Sequence, residues 1–579
     1  MIEGNRVLPS RRGVLGGLAG AAACAAFGWT PAFRVPAARA EGVTPPALPG
    51  GVEVYRQAYE NWSGEVFIDR MWTCAPTHAD QVVALANWAR AHGWTVRASG
   101  QRHNWSPLTA LAHEAERVLL VDTTRHFTRV TVTPGTPASV TAQTGVHMEV
   151  LMTALESAGL GFAATPAPGD ITLGGVLAIG GHGTGIPAAG ETRAAGHTFG
   201  SISNLVVALT AVVWDESADS YTLRTFERDD PAIAPLLVNL GRTFLIDARL
   251  RTGENTRLRC RSLTDIDVDT LFAPPDTAGE QSFGAWVERT GRAEAIWFPY
   301  TSTPWLKVWE VCPEQPAGAR MVNGPFNYPF CDTIPDPITD LMCRIEAGAY
   351  GLTPAMCRMH MDMVEMGLTA TASRDLWGWS KNTLLYVRPT TLKVTANGYA
   401  ILTRRADVQR VVSEFYAYFR DGLNRYAAEG SYPMNGPLEI RVTGLDDPGD
   451  AGVPGALTPA LSAIRPRPDH PEWEVAIWLD ILTIPGTPGS IRFYRETERW
   501  VLANYSGDYA QVRPEWSKGW GYSDTGAWAD RDVLDTIVPD AYRAGLPAGN
   551  TWDTAVSTLD QHDPHRVFAN GFLAGLLHD

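Results

Sequence analysis

Cysteine is scarce: the 579 residues hold seven, with no C-x-x-C pair among them. So thin a set excludes a disulfide-built scaffold and a zinc site of the usual cysteine spacing. Cys24 falls in the N-terminal leader, and the other six leave Cys312/Cys331 and Cys343/Cys357 as candidate bridges. Beyond that leader there is no G-x-G-x-x-G turn, no G-x-x-x-x-G-K-[ST] loop, no G-x-S-x-G elbow and no H-E-x-x-H pair. Those gaps exclude the standard dinucleotide turn, the P-loop nucleotide site, the serine-hydrolase elbow and the zinc-protease helix. Positive charge is also in deficit, with 48 Lys and Arg against 63 Asp and Glu, a net charge of −15. An acidic surface repels phosphate backbones, so nucleic acid is excluded as a partner. Outside the leader no apolar run reaches the ~20 residues that span a bilayer.

What remains is ordinary globular material: 45% hydrophobic residues, with 55 Gly and 41 Pro marking many turns. Residues 1–40 read as an address. Arg11-Arg12 precede the small, apolar stretch Val14 to Trp29, and Ala38-Arg39-Ala40 offers small residues before a cut at Glu41. That order is a secretion signal of the twin-arginine type, and it places the mature chain outside the cytoplasm.

Periodicity then sketches an α+β region of about 200 residues. His78–His92 has a helical apolar face of Val82, Leu85, Ala86 and Ala89, with Thr77 and Asp80 as a capping-box-like start. Strands follow at Trp94–Ala98, Arg117–Asp122 and Ser139–Ala142, then a helix at His147–Ser157 with Val150, Leu151 and Leu155 inward. Leu205–Trp214 and Gly241–Leu250 read as further β runs. From about 255 to 510 the texture turns Trp- and Met-rich, with Asp446–Pro454 and Arg465–Pro471 as exposed loops or linker. The Met356 to Met363 stretch, methionine at nearly every second position, reads as one side of an apolar wall rather than a soft-metal site.

Two segments carry chemistry. In Pro168-Gly169-Asp170-Ile171-Thr172-Leu173-Gly174-Gly175, continued by Gly181-His182-Gly183-Thr184, the missing Cβ atoms let backbone N–H groups approach an anion. Thr172, Thr184 and the Gly174 and Gly175 amides form a candidate pyrophosphate cradle without lysine. In Ser99-Gly100-Gln101-Arg102-His103-Asn104-Trp105-Ser106, a histidine sits in the loop after a strand. With Gly196-x-x-x-Gly200 before Asn204, these segments resemble the flavin domain of the vanillyl-alcohol oxidase family. The mature chain resembles its covalent-flavin (type II) cholesterol oxidase branch through Arg102–Leu108, Gly436–Arg441, Pro514–Trp520 and Asp563–Phe568.

That resemblance implies FAD attached through His103, with the remaining loop residues and the glycine-rich segment as cofactor contacts. Arg102 is then a phosphate or flavin-carbonyl partner, or a surface ion pair. It also implies catalytic roles for Glu439, Arg441, Glu294 and Lys518. Glu439 and Arg441 share a strand face at period two, with Glu439 as base toward an alcohol and Arg441 stabilising negative charge. Glu294 matches a gating carboxylate, and Lys518 matches a lysine at the flavin N1–C2=O edge. An amide is expected near the base, where this chain has Asp480.

The implied fold is a two-domain vanillyl-alcohol-oxidase-type architecture. An FAD domain at 45–254 is completed by 511–579, and a substrate cap over an antiparallel sheet spans 255–510. The implied activity is oxidation of a bulky 3β-hydroxysteroid by dioxygen, with peroxide release, isomerisation of the ring double bond, and transient contact with a membrane surface to collect sterol. Met356, Met359, Met361, Met363, Met366, Trp297, Phe298, Trp305, Trp377 and Trp379 are expected to wall the substrate cavity. A sugar-alcohol or aldonolactone oxidase, a dehydrogenase with another acceptor, and a non-catalytic sterol carrier stay open as alternatives.

Overall fold

The computed structural model describes residues 43–331 and 336–578. The leader 1–40 lies outside the described residues.

Three sheets organise the chain. The first is four-stranded and nearly βαβ-like: Phe67–Ala75, Val118–Asp122 and Thr95–Ser99 run parallel, and Glu53–Glu60 closes one edge antiparallel. The helix Ala79–His92 supplies the crossover and buries Val82, Leu85, Ala86 and Ala89, as its apolar spacing requires. Its start differs from the expected capping box. The Gln81 carboxamide oxygen accepts from the Thr77 amide at 2.7 Å, so Gln81 rather than Asp80 closes the first turn. Gly93 ends the helix at φ 66°, a left-handed conformation suited to glycine.

The second sheet is antiparallel and built around Phe244–Glu254, flanked by Ala138–Gln143 and Val206–Asp215. Helix Met148–Ser157 packs on it through Met148, Leu151, Met152 and Leu155. Val150 was expected inward but is 53% exposed, because Met148 and Met152 complete the buried stripe instead.

The third sheet has nine strands, with Arg292–Trp297, Leu438–Gly444 and Val475–Thr483 adjacent at its middle. Alternation gives it two different faces. Ala295, Trp297, Ile440 and Leu479 meet the long helices Val408–Ala428 and Ser490–Asn504 in a common core. Glu294, Ile296, Glu439 and Arg441 point the other way. The segment from 511 onward begins as the edge strand Gln511–Pro514 of this sheet. It then crosses to the other two: the Val96 amide donates to the Val567 carbonyl at 2.8 Å, and Arg242 holds Asp563 at 2.5 Å.

Several sequence expectations are corrected here. The methionine run is the helix Thr353–Ala370, so its residues spread around a 3.6-residue period; Met356 and Met361 are buried while Met366 is 66% exposed. Cys312 and Cys357 are free thiols, so neither proposed bridge forms. The stretches 446–454 and 465–471 are not open linkers. Asp446 is fully buried and accepts from the Ser201 hydroxyl at 2.9 Å, while Arg465 donates to the Asn550 carbonyl at 2.7 Å. Among the described residues no helix is long and apolar enough to cross a membrane.

Candidate active site

The strand Thr95–Ser99 delivers the chain into the loop that carries His103, and that loop is tied down at both ends. Trp105 and Ser106 amides both donate to the Ser517 carbonyl, at 2.8 and 3.0 Å, and the Ser106 hydroxyl donates to the Trp516 carbonyl at 2.7 Å. The Asn61 side chain donates to the Trp105 carbonyl, and the Trp105 indole to the Val394 carbonyl. These bonds fix the histidine loop against the turn bearing Lys518. Arg102 takes φ 59°, a left-handed residue other than glycine, so the backbone here is held by its surroundings. Its guanidinium donates to the Ala58 carbonyl at 2.8 Å and lies near Ser99 and the Tyr59 ring, which corrects the surface ion-pair reading.

His103 stacks on Trp62, with ring centroids 3.8 Å apart, and its buried Nδ1 has no hydrogen-bond partner. Burial, helped by Lys518 and Lys393, lowers its pKa to about 3, so the imidazole is neutral across the physiological range. Such an orphaned nitrogen on a cavity wall is a group waiting for a partner.

That cavity, of about 350 Å³, lies between the nine-stranded sheet and the first two sheets. Gly100, Gln101, Arg102, His103 and Asn104 line one side; Pro168, Thr172, Gly174, Gly175, Gly181 and His182 line another. The glycines are needed for closeness. A Cβ on Gly100 would stand 2.2 Å from the Thr172 hydroxyl, and one on Gly174 would stand 2.9 Å from the Thr144 Cβ. The expected cradle is nevertheless incomplete. The Gly174 amide already donates to the Thr144 carbonyl at 2.8 Å, and Thr184 is buried away from the wall. Ser99, Ser106, Gly169, Asp170 and Gly183 also stand behind the lining. Ser106 and Gly169 hold neighbouring backbone, Gly183 packs against Thr165, and burial raises the Asp170 carboxyl pKa.

The sheet supplies the opposite wall. Register places Glu294 opposite Arg441, and Glu439 opposite Asp480. Arg441 therefore sits among three carboxylates: Glu439 at 3.2 Å, Glu294 at 3.8 Å and Asp480 in closer contact. Lys518 Nζ lies 2.6 Å from Asp480 and 3.4 Å from Glu515. Burial pushes the Glu439 carboxyl above its ordinary pKa, with Glu294 and Asp480 adding to the push and Arg441 opposing it. Burial also works against the Asp480 charge, yet Lys518 and Arg441 outweigh it and hold that group at about 2. Glu294 is 1% exposed and stands on the cavity wall. It accepts from the Tyr386 hydroxyl at 2.6 Å and lies 3.9 Å from Lys307, a fully buried ammonium whose Nζ stands 3.0 Å from the Tyr386 ring centroid.

The structure thus brings His103, Glu294, Glu439, Arg441 and Lys518 to one cavity. Sequence reasoning missed Glu515, Tyr386, Lys307 and Trp478. A lysine inside the apolar strand Trp305–Val311 was a readable signal for a buried partner. Glu515, three residues before Lys518, was another. Trp478 had none, because its stacking on His182 at 3.7 Å joins residues about 300 apart. The Met- and Trp-rich wall is also corrected: Trp297 packs on Tyr416 and Phe419 across the sheet, and Trp377 and Trp379 cover Arg257. Phe298, Trp305 and Met361 form a closed cluster behind Ile296, which itself reaches the cavity.

An FAD-binding domain model matches residues 72–212, and a cholesterol oxidase substrate-binding model matches residues 257–578. No curated protein sequence matches the chain. A solvent-stable cholesterol oxidase is 55% identical with a TM-score of 0.91, covering 93% of this chain and 100% of its own. The cholesterol oxidase of Brevibacterium sterolicum is 46% identical with a TM-score of 0.90, covering 93% and 99%. A histidine-to-alanine mutant of the same enzyme is 45% identical with a TM-score of 0.90 and the same coverage. Fold, cavity and matched segments together place the chain in the cholesterol oxidase family, FAD-dependent oxidoreductases that act on a hydroxyl group.

Proposed function

We propose that the mature chain is a secreted oxidase, exported by the twin-arginine route, that converts a 3β-hydroxysteroid to its 3-ketone. Dioxygen is the final acceptor, hydrogen peroxide the by-product, and a Δ5 to Δ4 shift completes the product. The observation that carries this reading is the convergence on one cavity of an unpartnered neutral imidazole, His103, with the Glu439–Arg441 pair.

The glycine-rich wall at Gly100, Gly174, Gly175 and Gly181 has the close-packed character FAD needs, and His103 is the residue that would bond its flavin. When bound, the flavin supplies the hydride acceptor and the route of electrons to dioxygen. His103 contributes the nitrogen lone pair for the tether, available because burial keeps the ring unprotonated. Glu439 draws the proton from the substrate hydroxyl, a task helped by a pKa raised toward the working pH. Arg441 stabilises the negative charge that grows on the substrate oxygen. Glu439 also takes a proton from one ring carbon and delivers it to another during isomerisation, and Lys518 pairs with Asp480 at this end of the cavity.

A sterol suits the site better than a polyol. Ile296, Val394 and Leu482 line the cavity, and the polar groups beside them are already paired: Arg441 with Glu439, Lys518 with Asp480, Tyr386 with Glu294. Those apolar side chains suit a hydrocarbon skeleton with a single hydroxyl placed at the Glu439–Arg441 pair. Such a substrate resides in membranes, so the enzyme collects it during brief contact with a lipid surface. The test is steady-state turnover in air on cholesterol, xylitol and an aldonolactone, with peroxide measured directly. Cholesterol is expected to win by a wide margin with one peroxide per sterol oxidised. Preference for the polyol or lactone, or sterol binding without peroxide, overturns the assignment.

A further inference from the structure

Two carboxylates beside the base leave oxygens that no hydrogen bond satisfies. Asp480 is fully buried, and its Oδ1 has no hydrogen-bond partner; Glu515 Oε2 is buried too, with Lys518 Nζ in ion-pair range at 3.4 Å but no hydrogen bond. The two oxygens crowd the same point. A Cβ built on Gly398 would lie 2.6 Å from Asp480 Oδ1 and 2.8 Å from Glu515 Oε2, and only glycine at 398 leaves them that space. Two facing acceptors, both dry, are satisfied together by one proton, whereas two ionised carboxylates so close repel each other. We propose that Asp480 and Glu515 share a single proton at neutral pH and act as one carboxyl–carboxylate pair. They are positioning residues that set how much negative charge Arg441 and Lys518 must hold beside Glu439.

The carboxylates of this region are Glu294, Glu439, Asp480 and Glu515, and the basic groups facing them are Arg441, Lys518 and Lys307, whose pKa burial lowers. The groups facing the pair are Lys518 on its own turn, Arg441 and Glu439 on the adjacent strand, and His182 from the glycine-rich segment, 4.0 Å from Glu515. His182 adds no charge, because burial and Arg441 lower its pKa to about 3. Burial, reinforced by Asp480, pushes Glu515 up to about 8, so the shared proton leaves on the alkaline side of neutrality. The added charge then competes with Glu439 for Arg441.

The effect on turnover rests on the oxidase reading; the proton itself does not, and it is tested on resting holoenzyme. Infrared difference spectra in H₂O and D₂O are recorded at pH 6.5 for the wild type and for Asp480→Asn, Glu515→Gln and Glu439→Gln. One exchangeable carboxylic-acid carbonyl band is expected to vanish in both Asp480→Asn and Glu515→Gln and to persist in Glu439→Gln. In the wild type alone, the same band is expected to fade as pH rises through about 8. Survival of the band in Asp480→Asn means that Glu515 is protonated by itself, and loss only in Glu439→Gln assigns the proton to the base; either result overturns the shared proton. Loss of the alkaline limb of kcat/KM in Glu515→Gln is the accompanying kinetic signature. A normal infrared result with no sterol turnover would leave the pair standing and remove the oxidase reading.

Discussion

His103 shows how one side chain is prepared for its task. Two rings, Trp62 and Trp105, and a loop tied to Ser517 hold it half-buried, where the neutral ring is favoured. A histidine of ordinary pKa, about 6.5, loses reactivity steadily as pH falls from 7 to 5. One depressed to about 3 does not, because it stays neutral throughout that window. The rate of covalent flavin incorporation into apoprotein is therefore expected to be flat between pH 5 and 7, followed by pigment retained on acid-precipitated protein. A rate that halves near pH 6.5 would contradict the buried, neutral imidazole. His103→Ala is expected to fold and to release all its flavin on denaturation.

At the scale of the element, the nine-stranded sheet converts period-two spacing into a row of charges. Lys307, Glu294 and Arg441 stand side by side on three neighbouring strands, and the intervening Ala295 and Ile440 face the helices. Glu294→Gln leaves the Lys307 ammonium fully buried without its carboxylate, a loss expected to cost about 3 kcal/mol. Lys307→Met in the same chain removes the orphaned charge. The double variant is expected to recover about 1 to 3 kcal/mol relative to the sum of the single changes in urea unfolding. Additive losses would mean that the two groups do not interact.

This row also shows what the sequence could reveal. Alternation put Glu439 and Arg441 on one strand face, but it was the family resemblance that marked them, and His103, as site residues; the glycine-rich segment was legible as a local motif. The partners were not, since strand register brings Glu294 to Arg441 across 147 residues of chain and Asp480 to Glu439 across 41. The Met356 to Met363 run misled for a related reason: methionine spacing fits a strand face, but good helix formers around it decide the local structure.

Across the whole molecule, the C-terminal segment joins the three sheets. Arg242 is 1% exposed at its side chain and is held by Asp560 and Asp563, while Asp563 also takes the Tyr221 hydroxyl and the amides of Val567 and Phe568. Asn570 reaches the Pro107 carbonyl just beyond the histidine loop, at 2.9 Å. Asp563→Ala takes from a buried guanidinium one of its two carboxylates, leaving Asp560, and is expected to lower stability by about 3 kcal/mol. Because that clamp backs the loop, retained flavin should fall in parallel, as read from visible absorbance after gel filtration. Unchanged urea midpoints would show that the segment is an ornament rather than a brace.

The central claim is that one cavity joins the His103-bound flavin to a carboxylate base, and mixing enzyme with sterol in the absence of air tests it most directly. Flavin absorbance is followed in a stopped-flow instrument for the wild type and for Glu439→Gln. The account predicts rapid bleaching of the wild-type flavin by cholesterol and bleaching slower by about 10² to 10⁴ in the variant, with the flavin still attached in both. Equal rates in the two proteins, or no bleaching by sterol at all, would contradict it.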